Sequence, residues 1–209
     1  MQRFCYPATS KTITQYNKLA KDPATRDVWQ QAFGKEFGRM AQGDNKTIQK
    51  GKKCIFVMNH NKIAQMRTKG KKLTYLRVVV DFLPQKSDPN RVIITAGGNI
   101  SKYAWKLTTR TAELTTANML WNSVISTEGA IFEGLYLSDL YLETPMDEYA
   151  YMTMPLLSFP QHTVKQYQLN KNAQNGKVYL EIWRAIYRLP QAGAITNTQL
   201  NKFLALEGY

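Results

Sequence analysis

The stretch Leu73-Thr-Tyr-Leu-Arg-Val-Val-Val-Asp-Phe82 limits the fold more than any other part of the chain. Its adjacent β-branched side chains lose freedom against a helix turn and fit a pleated surface, so it predicts a strand. A turn-forming stretch, Pro84 to Asn90, follows it, then a second apolar run from Arg91 to Ala96, stopped by Gly97-Gly98. A third short apolar run, Cys54-Ile-Phe-Val-Met58, also reads as a strand. The three together predict a small antiparallel sheet.

Helical spacing appears on both sides of these strands. Asp22-Pro23 offers an N-cap and a first-turn proline, and Val28, Trp29, Ala32, Phe33, Phe37 and Met40 then recur at helical intervals. Gly34 and Gly38 within this run permit close packing, and Gly43-Asp44-Asn45 ends it. Residues 111–127 carry a second helical pattern, and a last helix is predicted from about Ala194 to Leu206. Ile131 to Leu137 and Lys177 to Trp183 read as strands, the latter entered through Asn175-Gly176. The fold class is α+β, with antiparallel strands and packed helices.

The chain has 209 residues, 44% hydrophobic, which allows a core of one large or two small domains. No apolar run approaches the ~20 residues needed to span a bilayer, and residues 1–11 lack the apolar stretch of a secretory signal. With only Cys5 and Cys54, the chain is expected to be reduced, in cytoplasm or nucleus and not secreted. Net charge is +13 and unevenly placed: residues 1–110 hold 22 Lys/Arg against 6 Asp/Glu, a net of +16, whereas the remainder is −3. A basic half of this kind points to a polyanion, with nucleic acid first among candidates. The other reading is a solvated basic surface without a specific partner. His60 and His162 lack cysteine or carboxylate partners at ligand spacing, and no Gly-Lys-Ser/Thr follows Gly97-Gly98 to make a phosphate loop.

Four blocks, in order and at compatible spacing, resemble copia-type retrotransposon reverse transcriptases. Trp29-Gln-Gln-Ala-Phe-Gly-Lys-Glu-Phe37 is similar to that family's opening helix. Thr74 to Lys86 followed by Asn90-Arg-Val-Ile-Ile-Thr-Ala-Gly-Gly98 resembles its fingers strands. Thr108 to Thr116 through Trp121-Asn-Ser-Val-Ile-Ser-Thr127 resembles the helix before the first catalytic strand. Tyr179-Leu-Glu-Ile182 with Ile186-Tyr-Arg-Leu-Pro-Gln-Ala-Gly193 resembles a palm strand and the template-grip motif. The resemblance covers about Trp29 to Tyr209 and implies a fingers and early palm fragment. Residues 1–22, near-devoid of periodicity, are expected to be a loosely ordered N-terminal segment; on the resemblance, 23–128 are a fingers-like basic region and 129–209 an incomplete palm.

The family implies RNA-directed DNA polymerisation with two magnesium ions held by palm carboxylates. Aligned without a gap through Gly129-Ala-Ile-Phe and Leu142-Glu-Thr-Pro-Met146, the family's first metal aspartate falls on Tyr136. A phenol does not replace a carboxylate on magnesium. Asp139, three residues on, is expected at the turn out of the strand, as an N-cap or surface carboxylate rather than a substitute. The family's Tyr-x-Asp-Asp hairpin is expected beyond the final helix, and no Asp-Asp pair occurs in the 209 residues. No metal or other cofactor is therefore expected for this chain, and no intact catalytic set.

The resemblance assigns nucleotide contact to Arg91 and Gln191. Arg91 equally suits a solvated strand arginine, and Gln191 a residue at a helix entry. A second family arginine is replaced by Ile93, which cannot pair with phosphate. Arg188 stands where the family has glycine, a strained choice if the backbone there needs positive φ. Lys50, Lys52, Lys53, Lys62, Arg67, Lys69, Lys71, Lys72 and Arg77, with Phe56 and Tyr75 nearby, form the predicted nucleic-acid-binding set. The expectation is a degenerate reverse transcriptase fragment without polymerase activity that binds RNA or DNA weakly and without sequence preference. A basic binding module of retroelement origin, a piece of a longer polymerase, and a relic without function are the rivals. Loss of the Asp-Asp hairpin beside Ile131–Leu137 further predicts self-association through an unpaired palm edge.

Overall fold

A computed structural model describes residues 13–97, 113–134 and 136–208. The chain begins with α1 (Ile13–Leu19) and α2 (Arg26–Met40), then β1 (Ile55–Val57), α3 (His60–Thr68), β2 (Leu73–Phe82) and β3 (Asn90–Ala96). It continues through α4 (Leu114–Ser126), α5 (Leu140–Glu143), β4 (Pro145–Pro155), α6 (Gln161–Gln166), α7 (Leu169–Asn172), β5 (Lys177–Arg184) and α8 (Ala192–Leu206).

The valine run folds as β2 and forms an antiparallel hairpin with β3, with Val80 opposite Val92 and Val78 opposite Ile94. The third strand lies elsewhere. The sheet has five strands in the order β1-β5-β4-β2-β3, so β1 occupies the edge opposite β3. β5 pairs antiparallel with β1 and β4, while β4 runs parallel to the start of β2, Tyr151 opposite Leu73. The expected small antiparallel sheet is thus a mixed one. Two strands from 129–209 separate β1 from the β2–β3 hairpin.

Strand alternation decides what each face carries. Leu76, Val78 and Val80 of β2, Met152 and Met154 of β4, and Val178, Leu180 and Ile182 of β5 point to one side. They meet the Phe33, Phe37 and Met40 face of α2 in one buried cluster. Phe37 packs edge-on to Phe159 and Tyr167, ring centroids 5.5 and 5.1 Å away. Truncating such a ring costs roughly 3–5 kcal/mol. The glycines of α2 serve close approach, since a Cβ on Gly34 would sit 2.2 Å from His162 Nε2. Gly51 meets backbone instead, with the carbonyl oxygens of Gly38 and Ala41 at 2.3 and 2.4 Å from its Cβ position.

Three segments depart from the sequence expectation. The stretch expected to be loose contains α1, whose buried Tyr16 stacks on Phe33 at 5.1 Å. Residues 60–68 form α3, held by Asn59 accepting from the Lys62 backbone N–H at 2.9 Å. Among the described residues of the expected strand Ile131–Leu137, none is in a strand. Ile131 and Tyr136 are exposed, and Phe132 finds its contact in Trp121 of α4, ring centroids 4.4 Å apart. A strand persists only where its backbone is paired, and the places beside β2 and β5 are taken by β4. The unpaired edge predicted there is therefore not formed by those residues. No described helix is long and apolar enough to cross a membrane.

Candidate nucleic-acid interface

Tyr136 is 91% exposed. Three residues later, Asp139 adopts a left-handed backbone (φ 58°) at the head of α5, but its side chain makes no cap bond. It binds Arg39 instead: Nη1 of that guanidinium donates to Asp139 Oδ1 at 2.5 Å. Arg39 also grips Glu36 with two bonds of 2.9 Å through Nε and Nη2. Burial works against the Arg39 charge, yet the bonds and charges of Glu36 and Asp139 outweigh it and raise its pKa. Lys52 lies 4.0 Å from Asp139 Oδ2 and pairs with Glu143, which also accepts from Arg184 Nη1 at 2.8 Å. The Lys52 bond, together with Arg184, holds the Glu143 carboxyl below the usual range. Tyr136 is thus a solvated phenol, and Asp139 an aspartate satisfied by cations. Those residues do not fit a magnesium ion.

A cavity of about 540 Å³ opens where the hairpin meets the loop before α8. Tyr75 and Arg77 of β2, Ala96 and Gly97 at the end of β3, and Arg188, Leu189 and Pro190 line it. Backbone bonds fix this junction: Ala96 N–H donates to Tyr187 O at 3.1 Å, and Gly97 N–H to Tyr75 O at 2.9 Å. Arg188 has φ 68°, the left-handed conformation that a glycine would take without strain. Among the described residues, the buried Nε of Arg77 has no hydrogen-bond partner. Gln191, at the entry to α8, is only 6% exposed and its Oε1 is likewise unpartnered.

The structure separates the two nucleotide-contact candidates. Gln191 is buried and does not line the cavity. Arg91 sits exposed on β3 opposite Asp81 and borders a different recess, about 220 Å³, with Lys35, Glu36 and Arg39. Arg77 and Arg188, not Arg91, stand at the mouth formed by the Leu189-Pro190 loop.

The predicted basic set also divides. Lys50 and Lys53 are exposed in the loop before β1, and Lys69 and Lys72 flank the turn after α3. Lys52 is spent on Glu143 and Asp139. Lys62 pairs with Glu181 at 2.9 Å, and Lys71 with Glu148 at 3.4 Å. The Arg67 guanidinium lies 5.5 Å from the Tyr179 ring centre and donates to its hydroxyl at 3.1 Å. Phe56 leans on Trp183, centroids 4.6 Å apart. Trp183, Tyr149 and Tyr179 were not singled out by sequence reasoning. The alternation of Tyr179, Glu181 and Trp183 along β5 is the signal that places them on one face.

The histidines and the described cysteine are structural. His60 Nε2–H donates to Lys171 O at 2.9 Å while Nδ1 accepts from Gln174 at 2.8 Å, tying α3 to α7. His162 is half-buried against Gly34, and burial lowers its pKa. Burial pushes the Cys54 thiol up to about 12, and its Sγ donates to Leu142 O at 3.3 Å. Cys5 lies outside the described residues.

Compared with family models, curated proteins and solved structures, the chain gives no match.

Proposed function

We propose that the chain is a degenerate copia-type reverse transcriptase, fingers and early palm, that holds nucleic acid without extending it. One observation carries this reading. Three of the segments that resemble the family, Thr74–Lys86, Asn90–Gly98 and Ile186–Gly193, converge on the cavity of Arg77, Arg188 and Tyr75. Guanidinium forks suit phosphate oxygens, and a tyrosine ring beside them suits a base. The cavity is polar enough to recognise a nucleotide unit and open enough to admit one within a strand. Loss of extension rests on Tyr136 and on the commitment of Asp139 to Arg39.

The test combines binding and extension on the full chain. A labelled single-stranded oligonucleotide should bind at low salt, and Arg77→Ala with Arg188→Ala should weaken binding about tenfold or more. Primed template with nucleotides and magnesium or manganese should yield no extension, with Tyr136→Asp as without it. Extension above a heat-killed control, or unchanged binding by the double variant, overturns the proposal.

A further inference from the structure

The side of the sheet away from α2 carries a row of aromatic rings. Register puts Phe56 of β1 and Tyr151 of β4 on either side of Glu181 of β5. One step further along β5, Trp183 stacks on Tyr149 with centroids 4.9 Å apart and planes 5° from parallel. α3 covers only part of this face: Ile63 and Met66 pack on Met58 and Tyr179, with Leu73 and Tyr151 at the margin. Beyond it, Trp183 and Tyr149 remain 36% and 42% exposed.

These rings are held in place rather than loosely displayed. Glu181 is buried, and its Oε2 accepts from Trp183 Nε1 and from Lys62 Nζ, both at 2.9 Å. That pair of bonds fixes the indole and sets the Lys62 ammonium 5.8 Å from its ring centre. Arg67, Lys69 and Lys72 extend the positive margin along α3 and the turn after it, while Lys71 pairs with Glu148 at 3.4 Å. Glu148 and the exposed Asp147 stand beside Tyr149 on β4. A ligand that carries both anionic groups and flat apolar faces matches these cations and rings.

We infer that Trp183, Tyr149 and Phe56 form a stacking platform for the bases of a single-stranded nucleic acid whose phosphates follow the α3 margin. The inference rests on the nucleic-acid reading above but uses different residues from the Arg77 and Arg188 cavity. Both sites lie on the same face of the sheet. Strand register separates Tyr149 from the Arg77 level by about six residues, roughly 20 Å along the strands. A single strand crossing the face meets the rings at one end and the guanidiniums at the other.

The experiment measures anisotropy of a fluorescent dT oligomer and of an abasic phosphodeoxyribose oligomer of equal length on the full chain. Trp183→Ala and Tyr149→Ala should each weaken the dT oligomer about tenfold or more, while Trp183→Phe stays within about threefold. The salt slope should not change in the aromatic variants, because no phosphate contact is lost. Wild-type protein should bind the abasic oligomer about tenfold or more weakly than dT, a comparison within one protein that holds even if a variant folds poorly. Equal affinity of wild type for the two oligomers, or unchanged affinity of Trp183→Ala, overturns the platform. If the Arg77 and Arg188 double variant alone loses binding, the platform fails and the nucleic-acid reading stands. If wild type binds neither oligomer at low salt, both fail.

Discussion

Arg39 and Asp139, a hundred residues apart, are joined by a 2.5 Å bond between a guanidinium Nη1 and a carboxylate Oδ1. Both side chains are about a quarter exposed, so water screens the pair only in part. The bond ties the segment after Tyr136 to α2. Asparagine tolerates the left-handed backbone of residue 139, so Asp139→Asn removes the charge with little backbone penalty. It should cost about 1–2 kcal/mol in urea unfolding. A double-mutant cycle with Arg39→Met should show coupling of about 1 kcal/mol. Additive effects would mean that the pair contributes nothing.

Asp44 governs part of the acid response. Burial raises its pKa, but Thr47 Oγ1 and the backbone N–H groups of Ile48, Lys46 and Thr47 outweigh this and lower it. The backbone donors stand 2.6, 3.0 and 2.8 Å from Oδ1. A carboxyl whose folded pKa is depressed adds stability above its unfolded value, near ~4, and loses it as pH falls through the lower folded value. Glu143, also depressed, acts with the same sign. Urea unfolding between pH 2 and 6 should show Asp44→Asn less stable at pH 6, by about 1 kcal/mol, and with a shallower loss toward pH 2. Parallel curves for the two proteins would contradict this.

Arg188 combines strain with a role at the cavity. At φ 68° a non-glycine residue pays roughly 1 kcal/mol. Arg188→Gly should therefore raise the urea midpoint by an amount equal to about 0.5–1 kcal/mol, net of the entropy glycine adds to the unfolded chain. The same change should weaken oligonucleotide binding. A variant that is stabilised yet binds unchanged would detach Arg188 from the site.

The legible elements were those with a pattern of their own. β2 carries three successive valines, β5 an apolar run bounded by Asn175-Gly176, and α2 and α8 several turns of periodic apolar residues. α3 was hidden because Ile63 and Met66 are its only buried residues within a lysine-rich stretch. β4 was hidden because Pro145 and Pro155 bound it and a bulge between Pro145 and Ala150 breaks its alternation. Missing β4 made β1 look like a neighbour of β2. For the site, the basic stretch was visible, but which cations are neutralised was not. Lys52 and Lys62 meet Glu143 and Glu181, residues 91 and 119 positions away. Charge counts along a chain do not see such pairs. Strain at Arg188 was expected only on the condition that its backbone takes positive φ, which it does, at 68°.

The central claim is that this basic chain holds nucleic acid through phosphate contacts at defined cations. Its most direct test is an anisotropy titration of a single-stranded oligonucleotide at several salt concentrations, for wild type and for Arg77→Ala with Arg188→Ala. For wild type, log affinity should fall linearly with log salt, by roughly 0.7 for each phosphate neutralised. The double variant should bind more weakly and show a slope smaller in magnitude by about 1.4, two contacts fewer. A flat salt response in the wild type, or identical slopes for the two proteins, would contradict the claim.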